Sequence, residues 1–370
     1  MEQLNRRIFL KFAVAQGVCM TMAASSSPIF AGLEEPNKLL QEENKKRKAA
    51  KYIFNFSSPY KSSDYLTTPH AHFEIKELVE KYTNNNVYVS IRDNGTDGYG
   101  SPLANQVSHG VTTGALLSIS NLSAKTPQVD LLNIPYWAAN DQQYLKVFKS
   151  DLWRRHVLSK MELKKIRVLF PYVVGERTAT TTKKSMKTIR KPEDFFDVVF
   201  RVPNSHALES LYSHLKAKPY YVPWDLCAKN ANRGRFEALD PSTTGLYAGP
   251  NNLRGEIGII SETGFVQDGW VAIANSDFID SMDSVTQQQF LESFEEIQNR
   301  QFESYQRARL LCQQQFEKLG TKIYVTTSKE RRILNNHFGY ASPIWDDFKT
   351  KLLGDDGLNI FAKMHNIATA

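Results

Sequence analysis

Hydrophobic and polar residues alternate in a way that predicts short strands and helices in turn along much of the chain. Residues 52–56, Tyr-Ile-Phe-Asn-Phe, are typical of a strand, and apolar positions at helical spacing predict a helix over residues 69–82. The alternating segment 87–91 predicts a second strand. Because a strand, a helix and a strand in this order form a βαβ unit, we expect a parallel sheet.

The same patterns predict a second group of strands and helices further along the chain. In the first group, helices are expected at residues 103–109 and 142–161, and strands at 115–119 and 166–170. In the second, strands are expected at 178–182, 198–202 and 219–222, and helices at 207–215 and 226–238. Two longer strands, at 257–261 and 264–274, then lead the chain away from this group. The fold class is therefore α/β.

A long helix is predicted over residues 284–319. Ser284 and Gln287 form a candidate capping box, and Gly320 supplies a stop. At 1.5 Å per residue such a helix measures on the order of 54 Å, which exceeds one small domain. Its apolar stripe lacks a clean heptad, so a helix lying across two lobes is favoured over the alternative, a coiled-coil segment.

The charged residues are most informative near the N-terminal end of the chain. The formal net charge is +7, of which Arg6, Arg7 and Lys11 against Glu2 contribute a net +2. A basic run follows at residues 45–48, without the interleaved aromatic residues that bind nucleic acid by stacking. We therefore expect residues 32–50 to be a charged, solvated linker and expect no nucleic-acid partner.

Residues 1–31 resemble a bacterial twin-arginine signal peptide. Arg6 and Arg7 precede a mild apolar run, and small residues end at Ala31. Export by the general secretory route and lipid attachment at Cys19 are the alternatives. The apolar run is too short to span a bilayer, and no other stretch approaches that length. We expect a periplasmic protein that is not membrane-embedded.

Two cysteines, Cys227 and Cys312, follow the predicted signal peptide. An oxidising compartment would permit a disulfide between them. Their wide separation in sequence favours two separate buried thiols instead.

Two arginines at predicted strand ends are the candidate binding groups. Arg177 ends Gly-Glu-Arg, and Arg201 stands in Phe-Arg-Val-Pro, where Pro203 biases the preceding residue toward an extended conformation. Ligands of open α/β sheets bind outside such strand ends. A guanidinium stays charged and matches a carboxylate with its planar fork. From the residues alone, ion pairs with neighbouring acids such as Glu176 are an open alternative for both arginines.

Taken in order, these motifs resemble the periplasmic solute-binding subunit of TRAP transporters, the DctP-type family, over roughly residues 50–350. The motifs are the Gly-Glu-Arg strand end, the Lys-Pro-Glu-Asp turn at 191–194, the Arg-Val-Pro strand, Phe-Glu-Ala-Leu-Asp at 236–240 and Ala-Asn-Ser-Asp-Phe at 274–278.

The resemblance implies a two-lobed periplasmic-binding-protein-like fold, each lobe a mixed, mostly parallel sheet flanked by helices, with the long helix spanning both. The expected lobes are residues 51–174 with 271–309 and residues 175–270 with 310–370.

The resemblance also implies an extracytoplasmic receptor that binds a small organic acid and delivers it to TRAP membrane permease subunits, without a cofactor and without enzyme activity. A receptor feeding a sensor kinase and an exported enzyme acting on organic acids are the alternatives. The chain has no Gly-x-Ser-x-Gly elbow, no His-Glu-x-x-His pair and no Walker loop.

Arg201 matches the principal carboxylate-binding arginine of the family, and Arg177 matches a second arginine. Residues after Asp240 correspond loosely to a family contact, although Pro241 replaces the usual glycine. Further candidate contacts are Thr243, Thr244, Asn55, Tyr99, Ser118, Ser120 and Asn121, with Trp224 as an aromatic wall. No metal site is expected, because the turn at residues 93–98 lacks the ligands of a calcium loop.

Overall fold

Two mixed β-sheets organise residues 36–64 and 71–370, the part of the chain that the computed structural model describes. The predicted signal peptide at residues 1–31 lies outside these residues. The strands are β1 (Tyr52–Ser57), β2 (Val87–Arg92), β3 (Gly114–Ser118), β4 (Ile166–Glu176), β5 (Ala179–Thr182), β6 (Val199–Val202), β7 (Lys218–Tyr221), β8 (Ala238–Leu239), β9 (Ile257–Glu262), β10 (Gln267–Asn275) and β11 (Lys322–Val325).

Helices flank the sheets. They are α1 (Pro36–Ala49), α2 (His72–Tyr82), α3 (Gly100–Ser108), α4 (Asp141–Phe148), α5 (Asp151–Trp153), α6 (Ser159–Glu162), α7 (His206–His214), α8 (Cys227–Asn232), α9 (Thr243–Ala248), α10 (Ser276–Asp280), α11 (Ser284–Lys318), α12 (Ser328–Phe338), α13 (Asp346–Leu353) and α14 (Gly357–Thr369). A π-helical turn at Arg154–Leu158 joins α5 to α6. Short 3-10 turns lie at Ser62–Asp64, Ile119–Leu122, Pro127–Asn133, Pro192–Phe195, Trp224–Leu226, Pro250–Glu256 and Pro343–Trp345.

The first sheet has the strand order β2-β1-β3-β10-β4. Strand β1 is parallel to β2 and β3, whereas β10 is antiparallel to both of its neighbours. The predicted βαβ unit at the start of the fold is confirmed. Helix α2 is described only from residue 72, and the predicted start at residue 69 lies outside the described residues.

The second sheet has the order β11-β9-β5-β8-β6-β7. Strand β6, which carries Arg201, is parallel to both β7 and β8. Strand β5 runs antiparallel to β8 and β9. Among the described residues the chain passes between the sheets three times, from β4 to β5, from β9 to β10 and from β10 to β11, so the expected pair of α/β lobes is present.

The long helix α11 spans 35 residues, as the sequence predicts. Phe294 packs in the core of the first sheet, and Phe316 packs in a cluster with Ile257 and Ile260 of the second. The helix therefore lies along both lobes. The predicted Ser284 cap is wrong by one residue: Asp283 is the cap, and its Oδ1 accepts a hydrogen bond from the Thr286 amide at 3.0 Å.

Two predicted helices are shorter than expected. The one predicted over residues 226–238 ends after α8, because Gly234 adopts a left-handed φ of 67°, and residues 238–239 form a strand instead. The one predicted over residues 142–161 is interrupted after α4. There the Ser150 side chain accepts a hydrogen bond from the Trp153 amide at 3.2 Å and starts a new helix.

Most of the segment predicted as a charged linker is helix α1, which contacts the first lobe. The Glu43 carboxylate lies 2.9 Å from the Lys76 ammonium and accepts a hydrogen bond from the Tyr88 hydroxyl at 3.2 Å. Burial acts to raise the pKa of Glu43, but Lys76 and further partners outweigh it and hold the pKa below its usual value. This part of the segment is thus docked on the folded body.

The C-terminal helices contact elements of the predicted first lobe. The Gln128 amide donates to the Leu352 carbonyl at 3.1 Å, and His365 Nδ1 lies 2.9 Å from the Trp137 carbonyl oxygen. A boundary that places residues 310–370 wholly in the second lobe does not account for these contacts.

Cys227 and Cys312 are both buried and are not bonded to each other, so the disulfide that the compartment would permit between them is not formed. Within residues 36–64 and 71–370, no helix is both long enough and apolar enough to cross a membrane.

Candidate functional site

A cleft of about 530 Å³ is lined by residues of both sheets. Leu116, Leu117 and Ser118 of β3 lie on one side, and Arg201 of β6 lies on the other. The remaining lining residues are Pro59, Gly100, Leu103, Asn121, Arg177, Pro203, Trp224, Pro241, Gly245, Asp268 and Trp270. Most of this surface is apolar, and its charges come from Arg177, Arg201 and Asp268.

Arg201 enters the cleft from the end of β6. Its side chain is only 4% exposed, its Nε donates to the Val222 carbonyl at 3.0 Å, and its guanidinium carbon lies 5.5 Å from the centre of the Trp224 ring. Among the described residues, no acidic side chain forms an ion pair with Arg201. The two Nη groups are therefore available to a ligand, in a place where water is largely excluded.

Arg177, in contrast, is held by two carboxylates. Its Nη1 lies 3.2 Å from Asp240 Oδ2, and its Nη2 lies 2.9 Å from Asp268 Oδ1. Its Nη2 also lies 3.5 Å from the Ser120 hydroxyl oxygen. Burial disfavours the charge of Arg177, but the carboxylates of Asp268 and Asp240 outweigh this and raise its pKa.

Arg177 does not pair with Glu176, the neighbouring acid considered from the sequence. Glu176 lies 3.6 Å from Arg331 instead. Burial raises the pKa of the Asp240 carboxyl, while Arg177 and Arg201 act against that shift. Asp268 also accepts a hydrogen bond from the Ser242 amide at 3.0 Å, so both of its oxygens have partners.

The structure brings some of the predicted contacts together with the two arginines. Asn121, Ser118 and Trp224 line the same cleft. Ser120 is fully buried next to it, and its hydroxyl also accepts a hydrogen bond from the Asn133 amide group at 3.1 Å. Ser120 is therefore in contact with Arg177 rather than with the open space of the cleft.

The other predicted contacts do not line the cleft. Thr243 and Thr244 lie beside a second cavity of about 240 Å³, where Thr244 donates to the Val174 carbonyl at 2.5 Å. The Tyr99 hydroxyl donates to the Asn94 carbonyl at 3.1 Å. The backbone of Asn55 bonds to the Thr113 hydroxyl, as donor at 2.6 Å and as acceptor at 3.1 Å.

Two cleft residues, Asp268 and Trp270, were not among the predicted contacts. Both lie on the buried strand β10, which the alternating pattern identified only as a strand. An acidic residue in a strand that is otherwise buried was the signal available in the sequence, since a buried charge needs a partner. Within the described ranges, no group of three or more His, Cys, Asp or Glu side chains could hold a metal ion.

The chain matches the model of the family described as bacterial extracellular solute-binding protein, family 7 (DctP), over residues 58–351. The match covers most of the chain, which therefore belongs to this family. A search of curated proteins finds no significant match.

Solved structures with the same fold include several solute-binding proteins with bound acids. A TRAP periplasmic solute-binding protein from Sulfurospirillum deleyianum with bound succinate has a TM-score of 0.75 and 17% identity, covering 86% of this chain and 99% of that one. The sugar acid binding protein DctPAm from Advenella mimigardefordensis, in complex with galactonate, has a TM-score of 0.76 and 15% identity, covering 85% and 98%. A Haemophilus influenzae TRAP protein with bound L-gulonate has a TM-score of 0.75 and 17% identity, covering 85% and 99%. At these identities the likeness establishes the two-lobed fold.

Proposed function

We propose that this protein is a periplasmic receptor that binds a small organic acid in the cleft and delivers it to the membrane subunits of a TRAP transporter. The observation that carries the proposal is Arg201, a buried guanidinium with no acidic partner among the described residues, facing a cleft between two lobes. The family assignment supports the receptor role, and the acids named for the similar structures support the ligand class.

Arg201 is assigned the carboxylate of the ligand. A charge-assisted hydrogen bond contributes about 1.5 to 3 kcal/mol, whereas micromolar affinity needs about 8 kcal/mol. The arginine can therefore anchor the acid but cannot supply the whole affinity. Burial of the rest of the ligand against the cleft walls, including Trp224, supplies the remainder.

Closure follows if the ligand touches both lobes at once. Arg201 belongs to the second sheet and Leu116, Leu117 and Ser118 belong to the first, so a bound acid gains its full set of contacts only when the lobes are shut. The predicted signal peptide would take the protein to the periplasm, where the membrane subunits can receive it.

The proposal is tested by measuring acid binding to the purified protein by thermal shift and calorimetry. Arg201→Ala should weaken binding of any acid that the protein takes by at least about 2 kcal/mol, or about 30-fold. Arg254→Ala is the matched control, because Arg254 also lies over an aromatic ring, Tyr247 at 4.5 Å, but does not line the cleft. Equal affinity in the Arg201 variant would refute the assigned site.

A second measurement separates a receptor from an enzyme. The ligand is recovered from the denatured complex and its mass is compared with that of the acid supplied. A receptor returns it unchanged, and a new product would contradict the proposal.

A further inference from the structure

The charges in the cleft restrict which acids it can accept, and this step rests on the receptor function proposed above. Arg177 is already paired with Asp268 at 2.9 Å and with Asp240 at 3.2 Å. Arg201 is thus the only cleft cation without an acidic partner in the described part of the chain. A ligand with one carboxylate can use Arg201, but a second carboxylate would find no unpaired cation.

A second carboxylate would in fact meet negative charge. Asp268 lines the cleft, and its two oxygens already contact Arg177 and the Ser242 amide. Its negative charge would therefore repel a second carboxylate of the ligand. The aspartate therefore acts as a selecting group against dicarboxylates. Repulsive elements of this kind are a common source of specificity.

The walls of the cleft also disfavour a ligand rich in hydroxyl groups. Apart from the charged residues, the lining side chains present four polar groups: the Ser118 hydroxyl, the Asn121 amide and the indole N–H groups of Trp224 and Trp270, which have no hydrogen-bond partner among the described residues. A polyhydroxylated acid would lose water from its hydroxyls without gaining enough partners, which weakens binding. Leucine, proline and tryptophan side chains make up most of the rest.

We propose that the cleft selects monocarboxylates with an apolar body over dicarboxylates and polyhydroxylated acids. The carboxylate binds Arg201, and the apolar body lies against Trp224, Trp270 and the two leucines of β3. Structural neighbours with named small-molecule ligands hold the dicarboxylates succinate and L-malate or sugar acids, so under this proposal this chain uses the same fold for a different class of acid.

Three acids with the same six-carbon chain test the proposal directly. Hexanoate has one carboxylate and an apolar body, adipate adds a second carboxylate, and gluconate adds five hydroxyls. Hexanoate should bind at least tenfold more tightly than either of the other two, as measured by calorimetry on the wild-type protein. Phenylacetate, with a flat apolar body, should also bind more tightly than adipate and gluconate.

The possible outcomes distinguish this inference from the receptor function itself. If adipate or gluconate binds as tightly as hexanoate and the binding depends on Arg201, the selectivity is refuted and the receptor function stands. If a broad panel of organic acids shows no binding that depends on Arg201, both are refuted.

Asp268→Asn tests the role assigned to the aspartate. Asparagine keeps an oxygen for the Ser242 amide but removes the negative charge. The ratio of adipate affinity to hexanoate affinity should rise at least tenfold in this variant relative to the wild type, with adipate binding more tightly than it does to the wild type. Unchanged adipate affinity in the folded variant would overturn the selecting role.

A second variant covers the case in which Asp268→Asn fails to fold. Trp224 is only partly buried and lies on a short 3-10 turn, so its replacement disturbs the core little. Trp224→Gln should reduce the preference for hexanoate over gluconate at least fivefold. An unchanged preference would contradict the apolar wall.

Discussion

The same substitution at the two arginines of the cleft should lower the free energy of unfolding by very different amounts. Arg177→Met and Arg201→Met both remove a guanidinium and keep an unbranched side chain of moderate length. We expect Arg177→Met to lower the free energy of unfolding strongly, and Arg201→Met to lower it little. The difference arises from what each arginine leaves behind when it is removed.

Removing Arg177 leaves two buried carboxylates without the cation that they share. Asp240 is 0% exposed and Asp268 is 4% exposed, and both ion-pair with Arg177. Breaking a buried pair by deleting one partner typically costs about 3 to 5 kcal/mol, because an uncompensated charge remains. Removing Arg201 leaves the Val222 carbonyl without its partner and takes one favourable charge away from Asp240, which keeps its ion pair with Arg177; the expected loss is about 1 to 2 kcal/mol. The two variants should therefore differ by about 1 to 4 kcal/mol.

Urea unfolding of the ligand-free proteins at pH 7, followed by circular dichroism and tryptophan fluorescence, measures this difference. Transition midpoints can be compared directly if the m-values agree and the two probes coincide. The cost of Arg177→Met should shrink at lower pH. Burial raises the pKa of Asp240, and the loss of Arg177 removes a charge that acts against this rise. Asp240 should therefore take up a proton in the folded variant before it does so in the unfolded chain, and stability should recover as the pH falls.

Equal stability losses in the two variants would refute the reasoning, as would a loss below about 1 kcal/mol for Arg177→Met. In either case the carboxylates around Arg177 would not depend on its charge. The cleft would then contain two equivalent arginines, and the selectivity against a second carboxylate would lose its basis.

Two further predictions concern parts of the fold outside the cleft. Burial lowers the pKa of His72 to about 3 from 6.5, so the unfolded chain protonates first and stability falls as the pH drops below about 6.5. Between pH 7 and pH 5 this amounts to about 2 kcal/mol, which His72→Gln should abolish in urea unfolding; an equal pH slope in both proteins would contradict it. Gly175 has a φ of 94°, and a Cβ there would lie 2.3 Å from the Tyr305 hydroxyl oxygen. Gly175→Ala should therefore cost about 1 to 3 kcal/mol, more than Gly320→Ala, whose added Cβ meets no atom within 4 Å; equal melting temperatures of the two variants would count against this.

The elements that the sequence predicts well are those fixed by local patterns. Alternating apolar residues located β1 and β2, and helical periodicity located α11 within one residue of its observed C-terminal end. The long strand β4 was underestimated, because the segment that follows residue 170 begins with Pro171 and lacks alternation. Strand β4 is buried on both faces and pairs with β10. Because about ninety residues separate the two strands in sequence, this pairing leaves no signal in the local residue pattern.

The contiguous strand and proline place Arg201 at a strand end, and the family resemblance, rather than the residues alone, favours ligand binding over an ion pair for it. The partners of Arg177 could not be predicted in this way. Asp240 follows β8 of the second sheet and Asp268 lies on β10 of the first, and only the crossing of the chain between the sheets brings them to one guanidinium. The sequence offered Glu176 as the nearest acid, but alternating residues of a strand point to opposite faces.

The position of Arg177 explains why its ion pairs suit a structural role. It lies between β4 and β5, where the chain passes from the first sheet to the second, and its amide donates to the Val266 carbonyl of another crossing segment at 2.7 Å. Asp268 is the second residue of β10, just beyond that segment, so this pair lies where two of the crossing segments meet, and a rotation of the lobes about that point would displace it little. Arg201 lies on β6, away from the junction, and faces β3 of the opposite lobe. Lobe closure would therefore change the surroundings of Arg201 far more than those of Arg177. This suits Arg201 to respond to a ligand and suits Arg177 to a fixed structural role.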